Sequence, residues 1–110
     1  LIDCNGWRVA LLNDAPKFRR ETMPYLERHN ETDEMFVLLD GACTLYIGDG
    51  DATPGRIETL EMEKKKLYNV KRAVWHSLTA APGTTLLIVE NTDTTKANSD
   101  YFPVTPEMLP

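Results

Sequence analysis

The sequence is poor in cysteine and in positive charge, and each shortage excludes a class of protein. Its two cysteines, Cys4 and Cys43, form no C-x-x-C pair, and they are too few for a disulfide framework. We therefore predict two reduced thiols, as in a cytoplasmic protein. The 12 Lys and Arg residues against 17 Asp and Glu residues leave a formal net charge of −5. This acidity disfavours a nucleic acid or an anionic membrane as a partner, because both need clustered basic side chains.

The sequence also lacks long apolar runs. The longest, residues 35–39 and 86–89, are far shorter than the roughly 20 residues that span a bilayer. The first ten residues contain no basic segment followed by an apolar one, so no secretory signal is predicted. The composition, 42% hydrophobic and 26% charged, is that of a folded globular protein. A length of 110 residues suits one domain that spans residues 1–110.

What the sequence does contain is a series of short runs rich in β-branched and aromatic residues, separated by turn signals. They predict strands at residues 7–12, 35–39, 43–47, 56–62, 67–70, 74–79 and 84–90, with weaker candidates at 18–22 and 25–29. Their regular spacing is typical of an all-β sandwich or barrel. Asp40-Gly41 predicts a tight hairpin. The alternative is a helix over residues 59–68, which combine helix formers with Glu–Lys pairs four residues apart.

Two polar segments are predicted to lie outside the strands. Thr32 and Asp33, in the acidic string ETDE, are predicted to lie in a solvated turn. After residue 90 the sequence becomes rich in Thr, Asn, Asp and Pro. Residues 91–110 therefore predict an irregular C-terminal tail that packs on the body of the domain.

Both histidines stand near carboxylates in predicted strands. Glu27 and His29 are two residues apart, so they point to the same side of an extended strand. Glu34 heads the next strand and alternates with apolar residues, which places a carboxylate on the buried face. His76 likewise stands within an apolar strand. Because a buried charge needs a partner or a metal ion, these four side chains are the candidate functional residues.

The types of these side chains predict a metal site. Two imidazoles and a carboxylate on one face form a facial triad with open coordination positions. We predict that His29, Glu34 and His76 bind one divalent transition-metal ion, with Glu27 as a fourth ligand. The oxygen-rich set favours iron or manganese, with zinc and nickel as alternatives. The competing interpretation is that each histidine is a hydrogen-bonded structural residue.

The candidate residues fall into two spaced frames. The first runs Glu21-x5-Glu27-x-His29-x4-Glu34-x6-Gly41, and the second runs Lys65-x5-Lys71-x-Ala73-x2-His76-x3-Ala80. These frames resemble the two motifs of the cupin superfamily, G-x5-H-x-H-x3-4-E-x6-G and G-x5-P-x-G-x2-H-x3-N. The first frame retains the second histidine, the glutamate and the closing glycine, whereas the second retains only its histidine. The local sequence is similar to that of small single-domain bacterial cupins of an uncharacterised type.

The resemblance implies a jelly-roll β-barrel of the cupin type, with a cavity where the motif residues converge on one metal ion. It implies that both histidines and Glu34 occupy metal-ligand positions, and that Glu27 ligates in place of the first histidine. Lys71 and Ala73 replace the proline and glycine that shape the turn before the second-motif histidine. A homodimer is a further implication.

Three functions are compatible with these features. The first is a metal-dependent enzyme that acts on a small molecule in the cavity, as an oxygenase or as an isomerase that polarises a carbonyl group. The second is a non-catalytic cupin that binds a sugar-like metabolite, and the third is a structural or interaction protein without metal. No separate general base is identified. Tyr46 and Tyr68 are candidates by residue type alone, and packing is the expected role of each.

Overall fold

The computed structural model describes residues 2–4 and 6–110, without the side chain of Cys4, and about half of them lie in strands. The strands are β1 (Ile2–Cys4), β2 (Trp7–Leu12), β3 (Tyr25–His29), β4 (Glu34–Asp40), β5 (Cys43–Gly48), β6 (Ile57–Glu61), β7 (Leu67–Val70), β8 (Trp75–Ala80), β9 (Thr85–Asn91) and β10 (Ser99–Pro103). Short 3-10 helices occupy Pro16–Phe18, Arg20–Thr22, Lys96–Asn98 and Pro106–Met108. Among the described residues there is no α-helix, and no helix has the length and apolarity needed to span a membrane. Cys43 is a free, buried thiol, whereas the prediction for the Cys4 thiol lies outside the described residues.

The strands form two antiparallel sheets of five strands each. One sheet has the order β1-β2-β9-β4-β7, and the other has the order β10-β3-β8-β5-β6. The predicted all-β class is confirmed, but the sheets are not closed into the predicted barrel. In the described part of the chain, the edge strands of one sheet, β1 and β7, form no ladder with the edge strands of the other, β6 and β10.

The turn at Asp40-Gly41 carries the chain from one sheet to the other, so the predicted hairpin is wrong. β4 pairs with β7 and β9, whereas β5 pairs with β6 and β8. Gly41 has a φ of 86°, and a Cβ on it would lie 2.6 Å from the Cα of Thr84. The next amide, that of Ala42, donates to Thr84 Oγ1 at 3.1 Å. The glycine therefore permits a close backbone approach between two connections.

Two segments differ from their predicted conformation, whereas residues 59–68 follow the predicted strands. The alternative helix is not formed there, because these residues contain the end of β6, a loop and the start of β7. Residues 18–22 lie in 3-10 helices and bends instead of a strand. The C-terminal segment is not irregular throughout, because β10 pairs with β3 from Ser99↔His29 to Pro103↔Tyr25. The segment thereby extends the second sheet.

Apolar side chains pack on both faces of the second sheet. The core between the sheets includes Phe36, Leu38, Leu45 and Leu86. The outer face carries a separate cluster in which the C-terminal segment covers the sheet, and its buried members are Met23, Leu26, Tyr46, Trp75, Val104 and Leu109. The inner face of the second sheet therefore packs in the core between the sheets, and the candidate residues lie at the polar end of that core.

Candidate functional site

The four predicted site residues come together between the two sheets. Glu27 on β3 and His76 on β8 are direct cross-strand partners in the second sheet. His29 ends β3, and Glu34 begins β4 in the opposite sheet. One ligand atom from each side chain lies within 4.8 Å of the others. We call these four residues the carboxylate–histidine cluster.

Glu34 is the centre of the cluster. Its Oε1 lies 3.2 Å from His29 Nε2 and 3.1 Å from His76 Nε2. The burial of Glu34 alternates with that of its neighbours on β4, as predicted, so the carboxylate shares the inner face with Phe36. Glu27 is held less closely, with its Oε1 3.8 Å and 3.9 Å from the same two nitrogens.

Hydrogen bonds outside the cluster fix the direction of each imidazole. His76 Nδ1 lies 3.0 Å from the carbonyl oxygen of Val74. A carbonyl can only accept, so Nδ1 carries the hydrogen and, in the neutral ring, Nε2 presents a lone pair to the cluster. His29 Nδ1 lies 2.8 Å from the hydroxyl of Ser99 on β10. Such outer hydrogen bonds are the arrangement that orients metal-ligating histidines in proteins.

The charges in the cluster shift the pKa values of its members in opposite directions. Burial alone would raise the pKa of Glu34, but the hydrogen bonds of the two histidines outweigh it and hold that pKa well below its usual range. Burial lowers the pKa of His29, but the hydrogen bond and the charge of Glu34 raise it overall. Burial raises the pKa of Glu27. Glu34 is therefore ionised at neutral pH, as a carboxylate ligand must be.

The turn before His76 is anchored by a residue that the sequence analysis placed in a solvated turn. Asp33 Oδ1 accepts from the backbone amide of Arg72 at 2.8 Å. The next amide, that of Ala73, donates to the carbonyl oxygen of His29 at 2.7 Å. Thr32 is also buried, at 6% exposure. The solvated-turn prediction is therefore wrong for Thr32, whereas Asp33 is exposed as predicted and also anchors the turn before β8.

One further carboxylate near the cluster escaped the sequence analysis. Glu90 faces Glu34 across the β4–β9 ladder. Burial, together with the charge of Glu34, raises the pKa of Glu90 to about 7. The signal was present in the sequence, since Leu86, Ile88 and Glu90 alternate along β9 and the first two pack in the core.

Neither tyrosine considered as a base lies at the cluster. Tyr46 is buried in the outer cluster under the C-terminal segment. The Tyr68 hydroxyl accepts from the backbone amide of Glu63 at 2.7 Å. Packing and local hydrogen bonding account for both.

Two cavities meet at the cluster, and Glu27 and Glu34 line both. The first has a volume of about 200 Å³ and a wall that is in part apolar and in part polar, formed by Leu12, Lys17, Phe18, Pro24, Tyr25, Glu27, Glu34, Phe36, His76, Ser77, Leu78 and Ile88. The second has a volume of about 310 Å³ and a polar wall, formed by Glu27, His29, Glu34, Glu90, Thr94, Thr95, Lys96, Ser99 and Tyr101. The cluster is thus reachable from a partly apolar side and from a polar side.

The chain is similar in structure to several enzymes. No protein-family model matches it, and no curated protein sequence matches it. A TDP-quinovose 3,4-ketoisomerase from Campylobacter jejuni is 18% identical, with a TM-score of 0.65 over 93% of this chain and 73% of that chain. A 3,4-ketoisomerase from Helicobacter canadensis is 16% identical, with a TM-score of 0.66 over 84% of this chain and 66% of that chain. An oxalate decarboxylase is 18% identical, with a TM-score of 0.62 over 90% of this chain and 24% of that chain.

The ketoisomerases and the oxalate decarboxylase are cupin-fold proteins. The chain has a cupin-like β fold. At these identities the likeness concerns the fold alone, and it agrees with the two-sheet architecture described above.

Two residues with a side chain have an unusual backbone conformation. Lys65 and Ala73, both in the second of the two spaced frames, have φ values of 65° and 64°. Gly41, which closes the first frame, also has a positive φ. Three positions of the frames therefore have a left-handed backbone, which glycine adopts without steric cost.

Proposed function

We propose that the carboxylate–histidine cluster binds one divalent transition-metal ion and that the chain acts there on a small molecule bound in the first cavity. One observation carries the proposal. His76 Nδ1 donates to a carbonyl, so in the neutral ring the lone pair on its Nε2 faces the Glu34 carboxylate oxygen 3.1 Å away. Two acceptors at this distance are stable only with a proton or a cation between them.

The spacing and charge of the donor atoms fit a metal ion. Two ligand atoms at right angles on one ion, each about 2.1 Å from it, are about 3 Å apart. The distances from Glu34 Oε1 to the two imidazole nitrogens, 3.2 Å and 3.1 Å, match this spacing. Two carboxylates also balance the charge of a divalent ion. Nitrogen and oxygen donors of this kind suit iron and manganese, with zinc and nickel as alternatives.

The arrangement supports an isomerase best. When bound, a divalent ion would supply Lewis-acid polarisation of a carbonyl oxygen. Glu34 and the two histidines would be the nearest ligands of the ion, and Glu27, the fourth member of the cluster, is the more distant carboxylate and lines both cavities. Its Oε1 is placed to accept or return a proton on a small molecule in the first cavity. The same fold occurs in two 3,4-ketoisomerases, so it is compatible with an isomerase.

Calorimetric titration with Mn²⁺ or Fe²⁺ tests the metal site. We expect one ion per chain in the parent protein and loss of binding in Glu34→Gln. Glu31→Gln is the matched control, because this nearby carboxylate is exposed and contacts Asn98 rather than the cluster. Equal binding by both variants and the parent would contradict the proposal.

Deuterium exchange tests the reaction class. The metal-loaded protein should accelerate the exchange with deuterium of the hydrogens beside the carbonyl group of 4-methyl-2-oxopentanoate. NMR measures the rate of this exchange. Glu27→Gln should keep the ion and lose the exchange. Consumption of oxygen would favour an oxygenase instead. A co-purified metabolite whose hydrogens do not exchange and which is not oxidised would favour the non-catalytic binding protein.

The assembly and the extent of the domain are proposed on other grounds. Ile2, Trp7 and Leu11 on β1 and β2 are 66%, 47% and 59% exposed, which leaves an apolar edge on the first sheet. We propose that this edge forms the interface of a homodimer, in a cytoplasmic protein whose single domain spans residues 1–110. Light scattering should give the mass of a dimer for the parent and of a monomer for Leu11→Glu. A monomeric parent would contradict the proposal.

A further inference from the structure

We infer that the first cavity selects a small monoanion with a short apolar body, and that Lys17 is its charge partner. This inference rests on the proposed function, because it names the class of small molecule that would reach the metal site. The size, the wall and the charge of the cavity each support it.

The size and wall of the cavity set the body of the ligand. Pockets for drug-sized molecules have volumes of roughly 300–1,000 Å³, whereas this cavity has about 200 Å³. Leu12, Phe36 and Ile88 are among the side chains of its wall. These residues favour a short hydrocarbon body, because burying it removes apolar surface from water.

Lys17 supplies the charge at the cavity wall. It is the one lysine or arginine among the lining residues. Its Nζ lies 5.2 Å from the ring centroid of Phe18, which lines the same cavity. Within the described part of the chain Lys17 forms no ion pair, in contrast to Lys64 and Lys66. Its ammonium group is therefore free to pair with a ligand.

The charge balance of the cavity favours an anion once the metal is bound. Glu27 and Glu34 contribute −2 and Lys17 contributes +1, so the formal charge of these three groups is −1. A divalent ion in the cluster changes this charge to +1. A monoanion then neutralises the site, whereas a cation meets repulsion from both the ion and Lys17.

The same features argue against a nucleoside diphosphate sugar in this cavity. A diphosphate carries more negative charge than one lysine balances, and its nucleoside and sugar exceed a volume of about 200 Å³. TDP is therefore a comparison ligand in the test.

The experiment measures binding by isothermal titration calorimetry of the metal-loaded protein. The probe is 4-methylpentanoate, and its uncharged isostere 4-methylpentanamide is the control ligand. We expect the carboxylate to bind more tightly than both the amide and TDP. Lys17→Met should weaken carboxylate binding by about fivefold, the upper range for an exposed ion pair, and should leave amide binding unchanged. Lys96→Met removes the same charge from the second cavity and should bind the carboxylate as the parent does.

The outcomes separate this inference from the proposed function. Metal content is measured on every sample, so a protein that takes up no ion refutes the metal site and this inference with it. Three results with the metal-loaded protein overturn the inference alone. These are equal binding of the carboxylate with and without Lys17, tighter binding of TDP than of the carboxylate, and no binding of the carboxylate. A loss in Lys96→Met as large as that in Lys17→Met also overturns it, because the effect would then be one of net charge.

Discussion

Replacing Ala73 or Lys65 with glycine should stabilise the protein. Both residues have a left-handed φ, 64° for Ala73 and 65° for Lys65. This conformation costs a residue with a Cβ roughly 1–2 kcal/mol. Glycine removes that cost, but its greater freedom in the unfolded chain costs about 0.4–1 kcal/mol. The difference predicts that each substitution raises the free energy of unfolding by about 0.5–1 kcal/mol.

Thermal unfolding followed by circular dichroism measures this gain. A gain of that size corresponds to a Tm increase of about 3–6 °C for a domain of this length. The Ala73 and Lys65 amides donate to backbone carbonyls at 2.7 Å and 3.1 Å, and glycine keeps both bonds. Ala81→Gly is the matched control, because Ala81 is exposed and its φ is not positive. This variant should have a free energy of unfolding about 0.4–1 kcal/mol lower than that of the parent. The reasoning is refuted if Ala73→Gly is destabilised as much as Ala81→Gly.

Three further predictions concern packing and reactivity. In urea unfolding, Gly41→Ala should lower the free energy of unfolding by at least about 2 kcal/mol, because Gly41 has a positive φ and a Cβ there would contact Thr84. Gly83 has a positive φ but open space around it, so Gly83→Ala should lower the free energy of unfolding by about 1 kcal/mol. Equal losses would contradict the close approach at Gly41. Cys43 should resist iodoacetamide in the folded protein at pH 8, because burial raises its thiol pKa to about 12, and mass spectrometry should find it labelled only after unfolding; rapid labelling of the folded chain would be inconsistent with this burial. Leu26→Ala should lower the free energy of unfolding by about 2–5 kcal/mol, since the side chain is fully buried beneath the C-terminal segment. A decrease below about 1 kcal/mol would show that the C-terminal segment is not packed on the sheet.

The strands were predictable because their side chains alternate. Residues 7–12 and 67–70 form strands with the predicted limits, and β4 buries Glu34 with its apolar neighbours as the period of two requires. The same alternation placed His76 inside. The convergence of the site residues therefore followed from local pattern and motif spacing, before any contact between strands was known.

The pairing of strands was not predictable from local pattern. Asp40-Gly41 has the composition of a hairpin turn, yet whether two strands share a sheet depends on contacts with distant residues such as Thr84. β10 was missed because Ser99, Asp100 and Pro103 have low strand propensity, and pairing with β3 overrides it. Thr32 was misjudged for a similar reason, because it is buried and its hydroxyl lies 3.1 Å from that of Thr94 on a remote segment.

The most direct test of the metal centre is its stoichiometry. We compare the parent protein with His76→Ala, both purified without a metal-affinity tag. Each is supplied with iron, manganese, zinc and nickel, and its metal content is measured by inductively coupled plasma mass spectrometry. Circular dichroism shows whether both proteins are folded. The geometry of the cluster predicts close to one ion per chain in the parent and less than about a tenth of that in the variant, because loss of a ligand and of the hydrogen bonds that orient it weakens metal affinity strongly. A folded parent that retains none of the four metals would contradict the account, and so would a folded variant that retains as much as the parent.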